Sequence, residues 1–262
     1  MSLLLLYVGY GFALGLLLFV AILFVIRATA SLSDKTRLQL DFHDAALDKK
    51  IPFPSIENSP TLDLTIVIPA YNESKRLPVF LDVLFPYLDT VDYSYEIIVV
   101  DDGSKDSTVE VVHCYSIKHG SDVIRCMKLP ANRGKGGAVR QGVLSSRGKE
   151  ILFADADGAT DINDLGKVRA SLKNLLETSK SRYARVIFPQ MNIERWAFDV
   201  EIFVIANILG IKATEVAVNW EEIDGSKIVP IYREALWPDQ SILLIKKRLR
   251  SEMKFSDNKQ KK

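Results

Sequence analysis

Leu64-Thr65-Ile66-Val67-Ile68-Pro69-Ala70-Tyr71-Asn72-Glu73 is an apolar run that stops at a proline and opens into a polar loop. Leu64 to Ile68 carries apolar side chains on both faces, interrupted by one hydroxyl, which is the pattern of a strand buried on both sides. Outward from it the same unit repeats. Leu77 to Leu88 reads as a helix and Tyr95 to Val100 as a second strand, ended by Asp101-Asp102-Gly103. Ser107 to Ile117 is a helix with Asp106 as its cap, and Val123 to Leu129 is a third strand. Gly137 to Ser146 is a third helix and Glu150 to Ala154 a fourth strand. Strands apolar on both faces and separated by helices predict a parallel sheet with helices on both sides, an α/β, Rossmann-like nucleotide-binding architecture. Further on, Arg195 to Leu209 reads as a helix, Glu215 to Trp220 as a strand, and Pro238 to Met253 as a basic helix.

In such a sheet, ligands gather where strand C-termini open into loops. Three polar clusters fall at those points: Pro69-Ala70-Tyr71-Asn72-Glu73, Asp101-Asp102-Gly103-Ser104 and Asp155-Ala156-Asp157. Each alone suits a helix cap or a solvated turn; three at one edge point to a site. Asp155 and Asp157, one residue apart on a turn, can converge on a single hard cation, Mg2+ or Mn2+, leaving positions for phosphate oxygens and water. Such an ion would neutralise a diphosphate leaving group.

Asn132-Arg133-Gly134-Lys135-Gly136-Gly137 follows the third strand and opens a helix. Its glycines allow close backbone approach, and Arg133, Lys135 and the helix N-terminus add positive charge suited to a diphosphate. A flexible surface turn is the competing reading. The segment is neither a P-loop nor a dinucleotide fingerprint, since Val139 stands where a third glycine belongs.

The composition is ordinary for a globular chain of 262 residues, with 48% hydrophobic and 26% charged residues. A net charge of +1 gives no reason to expect a nucleic-acid binder. The two cysteines, Cys114 and Cys126, have no metal-ligand spacing and read as reduced thiols. The N-terminus is different. Leu3 to Ile26 contains no charged residue and is long enough for a transmembrane helix, for which roughly 20 residues suffice. Ala28-Thr29-Ala30 has the small residues of a signal cleavage site, but no basic segment precedes the apolar run, which favours a retained anchor. Arg27, Lys35 and Arg37 follow the span, so the large domain is expected to face the cytosol. A glycan on the Asn72-Glu73-Ser74 sequon would obstruct the loop edge, which fits that orientation.

The expected layout is an anchor over 1–30, a polar connector with some helix over 31–61, the catalytic domain over 62–234, and a basic helix and tail over 235–262. The final helix sets Ile242, Leu243, Leu244, Ile245 and Leu249 beside Lys246, Lys247, Arg248 and Arg250, which suits a membrane interface or a solvated helix packed on the domain.

On these motifs, with Asp155-Ala156-Asp157-Gly158-Ala159-Thr160, Glu194-Arg195-Trp196-Ala197-Phe198-Asp199-Val200-Glu201 and Val218-Asn219-Trp220, the chain resembles the family-2 glycosyltransferases of GT-A fold. The likeness covers nearly the whole chain and is nearest to members acting on dolichyl phosphate. It implies inverting transfer of glucose from UDP-glucose to dolichyl phosphate at the cytosolic face of the endoplasmic reticulum membrane, the product serving N-glycan precursor assembly. A dolichyl-phosphate mannosyltransferase and a donor-binding form without turnover are the alternatives. The same likeness implies that Pro69, Ala70, Glu73 and Asp102 hold the uridine with Asp101 nearby, that Lys135 approaches the diphosphate, and that Asp155 and Asp157 hold the metal and the ribose side of the donor. Tyr71 and Arg133, in the same loops, are further donor-binding candidates. Asp199 is the surviving acid of its motif and a candidate for positioning the acceptor; a helix-surface pair with Arg195 is the plainer alternative. A phosphate monoester, with a second pKa of about 6, is already nucleophilic at neutral pH, so a general base is dispensable. The chain departs from the family after about Thr178. It passes from Thr178-Ser179-Lys180 into Phe188-Pro189 where the family carries a longer segment on the acceptor side.

Overall fold

The computed structural model of the chain describes residues 38–44, 47–176, 183–221 and 223. The expected anchor over 1–30 and the helix Pro238–Met253 lie outside the described residues, as does the junction at Thr178. Among the described residues no helix is long and apolar enough to cross a membrane.

Among the described residues the central sheet has four parallel strands: β3 (Leu62–Ala70), β4 (Tyr95–Asp101), β5 (Ile124–Lys128) and β6 (Gly148–Phe153), in the order β5-β4-β3-β6. β3 pairs with β4 through Ile66↔Ile97, Ile68↔Val99 and Ala70↔Asp101, and with β6 through Ile66↔Leu152. Between strands run α1 (Arg76–Leu88), α2 (Thr108–His119) and α3 (Lys135–Leu144), as the sequence predicts to within a few residues. The alternation of side chains along β3 and β4 divides the core in two. Ile66, Ile68, Ile97 and Val99 pack against Leu77, Leu81, Leu84 and Leu88 of α1. Val67, Ile98 and Val100 pack on the other face against Ala138, Val139 and Val143 of α3. Each such buried aliphatic side chain contributes about 1.5–3 kcal/mol. α3 lies close to the sheet at Gly142, where a Cβ would stand 2.4 Å from Val67 Cγ1.

Three features differ from expectation. The 31–61 segment, read as a connector with some helix, contains an antiparallel hairpin, β1 (Asp41–Asp44) and β2 (Lys49–Pro52), followed by buried Phe53 and Ile56. Its Phe42 and Phe53 rings flank the Arg125 guanidinium at 5.0 and 5.3 Å, so this stretch is part of the core. Glu215 to Trp220 is not a strand; only an isolated bridge joins Trp220 to Thr160. The helix expected from Arg195 begins at Phe198, after a turn. The described helices after β6 are α4 (Leu165–Leu176), α5 (Tyr183–Ile187) and α6 (Phe198–Ile208).

At the N-terminal end of the strands, Glu96 is fully buried. It accepts hydrogen bonds from Thr65 Oγ1 and from the Arg147 N–H and Nε (each 2.7 Å) and pairs with Arg125. A buried charge is tolerable only when paired in this way. Burial, and then the charge of Arg147, pull the Arg125 guanidinium down to about 9, which leaves it cationic at neutral pH.

Candidate active site

All three polar clusters arrive at the C-terminal edge of the sheet. The loop after β3 reverses at Asn72, whose φ of 54° is left-handed. It is tied to the loop after β4 by hydrogen bonds. Asn72 N–H donates to Ser104 Oγ (2.8 Å), Lys105 N–H to Asn72 Oδ1 (2.8 Å), and Glu73 N–H to Thr108 Oγ1 (2.8 Å). Asp106 completes the clasp by accepting the Ser74 N–H (3.1 Å) and the Thr108 hydroxyl (2.5 Å). Burial acts to raise the Asp106 carboxyl, but those donors outweigh it and hold the group at about 2. The sequon asparagine is thus part of a loop-to-loop clasp.

Asp101 and Asp102 are both buried. Asp101 Oδ1 accepts the Ser104 N–H (3.2 Å), while its Oδ2 has no hydrogen-bond partner among the described residues. Asp102 spends both oxygens on the glycine loop: Oδ1 accepts the Arg133 N–H (2.6 Å) and Oδ2 the Gly134 N–H (2.8 Å). Burial pushes its carboxyl up to about 6, opposed by those two donors. Pro69 and Ala70 end β3 beside these groups, and the Ala70 carbonyl accepts the Asp102 N–H (2.8 Å). Tyr71 follows, half-buried.

The glycine loop has a second reason for its composition. A Cβ on Gly136 would meet Phe198 Cβ at 2.5 Å and the Ile193 carbonyl at 2.8 Å. A Cβ on Gly134, at a φ of +82°, would stand 2.7 Å from the Glu194 carbonyl, which accepts the Gly137 N–H (2.8 Å). The close approach that these glycines permit is therefore by residues 193–198 of this same chain. Arg133 pairs with Glu194 across that contact. The segment is fixed from behind by buried Glu201, which accepts the N–H groups of Asn192 (2.8 Å) and Ile193 (2.7 Å).

Asp155 and Asp157 leave β6 on one turn. Asp157 Oδ1 accepts the Ala159 N–H (3.1 Å), and its Oδ2 faces Arg76 Nη1 at 3.6 Å. Arg76 in turn makes a two-point pair with Glu73 (2.8 and 2.6 Å), whose hydrogen bonds hold its pKa above the ordinary arginine value. Asp155 is paired with Lys135 Nζ (2.5 Å), which also stands 5.3 Å from the centre of the Trp196 ring. The turn parts two cavities. One, of about 420 Å3, is lined by Asp157 together with Val79, Phe80, Thr160 and Trp220. The other, of about 250 Å3, takes in Asp155, Lys135, Phe153 and Leu165. Asn219 and Glu221 back the turn through N–H bonds to Asp164 Oδ2 (2.6 Å) and the Ala159 carbonyl (2.9 Å).

Asp199 is exposed at the start of α6, and its carboxylate accepts the Val200 N–H (2.8 Å). Among the described residues no ion pair joins it to Arg195. Arg76 is the residue that sequence reasoning missed; the Glu73-x-x-Arg76 spacing at a helix start was its available signal. Trp196 is 40% exposed, with its ring against Lys135. Among the described residues no third acidic, histidine or cysteine side chain joins Asp155 and Asp157 as a metal group. Two carboxylates are hard oxygen donors, and on their chemistry they would suit a hard cation whose remaining positions go to phosphate oxygens and water.

Comparison with known proteins finds related chains. Residues 65–178 match the profile of glycosyl transferase family 2. The chain is 39% identical to a dolichyl-phosphate beta-glucosyltransferase of Drosophila melanogaster, over 73% of this chain and 77% of that protein. It is 39% identical to one of Mus musculus, over 86% and 87%, and 40% identical to one of Dictyostelium discoideum, over 76% and 81%.

Proposed function

This chain belongs to the dolichyl-phosphate β-glucosyltransferases, and from that premise we propose that it transfers glucose from UDP-glucose to dolichyl phosphate with the help of Mg2+ or Mn2+ held by Asp155 and Asp157. The observation that carries the reading is the acidic turn itself. It lies at the sheet edge between two cavities, with Lys135 and Arg76 beside it. The unsatisfied Asp101 Oδ2 offers a buried acceptor to a nucleoside hydroxyl or N–H at the same edge.

In the reaction an oxygen of the acceptor phosphate forms a bond to the anomeric carbon as the bond from that carbon to the UDP β-phosphate oxygen breaks. A bound divalent ion supplies charge neutralisation at the departing diphosphate. Lys135 adds a mobile positive charge there, and Arg76 holds the Asp157 carboxylate. The acceptor brings its own negative charge, so no side chain need remove a proton. Attack opposite the leaving group inverts the anomeric configuration.

The proposal extends to place: a single-pass protein of the endoplasmic reticulum membrane, anchored by 1–30, with its catalytic domain on the cytosolic side and its product destined for N-glycan assembly. Arg27, Lys35 and Arg37 after the apolar run support that orientation. The test uses membranes without endogenous enzyme, dolichyl phosphate, Mg2+ and either labelled UDP-glucose or labelled GDP-mannose. Label entering lipid from UDP-glucose alone is the expected result. Label from GDP-mannose would replace the donor assignment, and UDP-glucose binding without labelled lipid would show a donor-binding form.

A further inference from the structure

Each carboxylate of the Asp155–Asp157 pair already carries a cation from the chain, and the two cations are held differently. Arg76 faces Asp157 at 3.6 Å while its Nε and Nη2 are pinned on Glu73 at 2.8 and 2.6 Å. A planar guanidinium fixed at two points has little freedom to leave. Lys135 meets Asp155 through one ammonium group at 2.5 Å, and that ammonium also stands 5.3 Å from the centre of the Trp196 ring. Its stem is flexible, and the Asp155 side chain is 50% exposed. With Glu73 counted, three carboxylates and two cations leave the cluster at −1. A divalent cation alone would turn this to +1, an excess that the two negative charges of a UDP-sugar diphosphate would offset.

We propose that Lys135 is an internal counter-ion of the donor site, which occupies Asp155 while the site is empty and moves to the diphosphate when a divalent cation takes Asp155. Metal and donor then bind best together, because each removes the charge the other leaves behind. Arg76 stays in place and keeps Asp157 aligned. Lys135 is thus a switch between the empty and loaded site, a role beyond contact with diphosphate. The inference rests on the metal reading above.

The test uses the full-length chain in detergent, Mn2+ as the probe, and free Mn2+ followed by its paramagnetic resonance with and without UDP. Lys135→Met removes the competitor for Asp155. Mn2+ alone should then bind about two- to fivefold more tightly than to wild type, the range for an exposed ion pair. UDP in the presence of Mn2+ should bind about tenfold more weakly or worse, since a charged hydrogen bond to phosphate is gone. Tryptophan emission supplies a second readout. Diamagnetic Mg2+ should change it in wild type by displacing Lys135 from Asp155 and the Trp196 ring, and this change should vanish in both Trp196→Phe and Lys135→Met. Unchanged or weaker Mn2+ binding by Lys135→Met, or an emission change that persists in it, would overturn the counter-ion role alone. Wild type that takes up no Mn2+, or no more than Asp157→Asn, would overturn the metal reading and this inference with it.

Discussion

Gly136→Ala should cost both stability and transfer, through one added methyl group. An alanine Cβ there would lie 2.5 Å from Phe198 Cβ, 2.8 Å from the Ile193 carbonyl and 2.9 Å from Phe198 Cγ. Carbon atoms pack at about 3.5–4.0 Å, so residues 193–198 must retreat by about 1 Å. Phe198 is buried and the Ile193 carbonyl is backbone, so neither yields cheaply. Overpacking of this kind costs about 1–3 kcal/mol. Replacing glycine within a helix returns up to about 1 kcal/mol, less in a first turn. The net loss is about 1–2 kcal/mol, a fall in Tm of about 2–8 °C for a domain of this size. The retreat also carries Trp196 from Lys135 and Glu194 from Arg133, so glucosyl transfer should fall further than the folded fraction accounts for. The assay is thermal unfolding at a fixed scan rate alongside transfer at a temperature where both proteins are folded. Gly166→Ala is the control, because its Cβ would have only Tyr87 Oη near it, at 3.9 Å, and it should be neutral or stabilising. A Tm for Gly136→Ala at or above that of wild type would refute the close-packing reading of the glycine loop.

Asp102→Asn should change the pH dependence of stability. Burial raises the native Asp102 carboxyl to about 6, so the folded chain binds that proton more tightly than the unfolded one. Wild type should therefore lose stability as pH rises from about 4 through about 6, and the variant should lack that component; parallel profiles would refute it. Glu201→Gln should lower the urea midpoint by the equivalent of about 1.5–3 kcal/mol, since a buried carboxylate that accepts the Asn192 and Ile193 N–H groups is replaced by an amide that offers one oxygen. An unchanged midpoint would show that the 192–194 turn is held by something else. Arg125→Met, which strips a partner from buried Glu96, should cost about 3–5 kcal/mol. Lys149→Met, at the exposed pair with Asp63, should cost less than about 1 kcal/mol, and equal costs would contradict the assigned roles.

The parallel sheet was legible because β3 and β4 are apolar on both faces, which leaves no other way to bury them. The loop edge was legible for the same reason: once the strands are placed, Glu73, Asp101, Asp102, Asp155 and Asp157 must converge. The hairpin at 41–52 was not, since Asp-Phe-His-Asp turns a single apolar side chain inward, and the signal is completed only by Phe53 and Arg125 from elsewhere. Val218-Asn219-Trp220 alternates like a strand but finds one bridge partner, Thr160, so pairing stops there. The glycine loop was read as allowing close approach of a diphosphate; what the structure sets against it is the chain's own residues 193–198, a contact made by tertiary packing that spacing does not encode. Arg76 escaped because its contact with Asp157 crosses from α1 to the end of β6.

The decisive experiment is glucosyl transfer by the full-length chain in membranes free of other glucosyltransferases, with UDP-glucose, dolichyl phosphate and Mg2+, run with and without a chelator and alongside Asp157→Asn. Glucosylated lipid that forms with wild type, disappears with chelator and returns with added Mg2+ is the expected result, with at least a hundredfold loss, ~3 kcal/mol of transition-state stabilisation, in the variant. Undiminished transfer by a properly inserted Asp157→Asn, or by wild type in chelator, would contradict a metal-bearing acidic turn as the seat of catalysis.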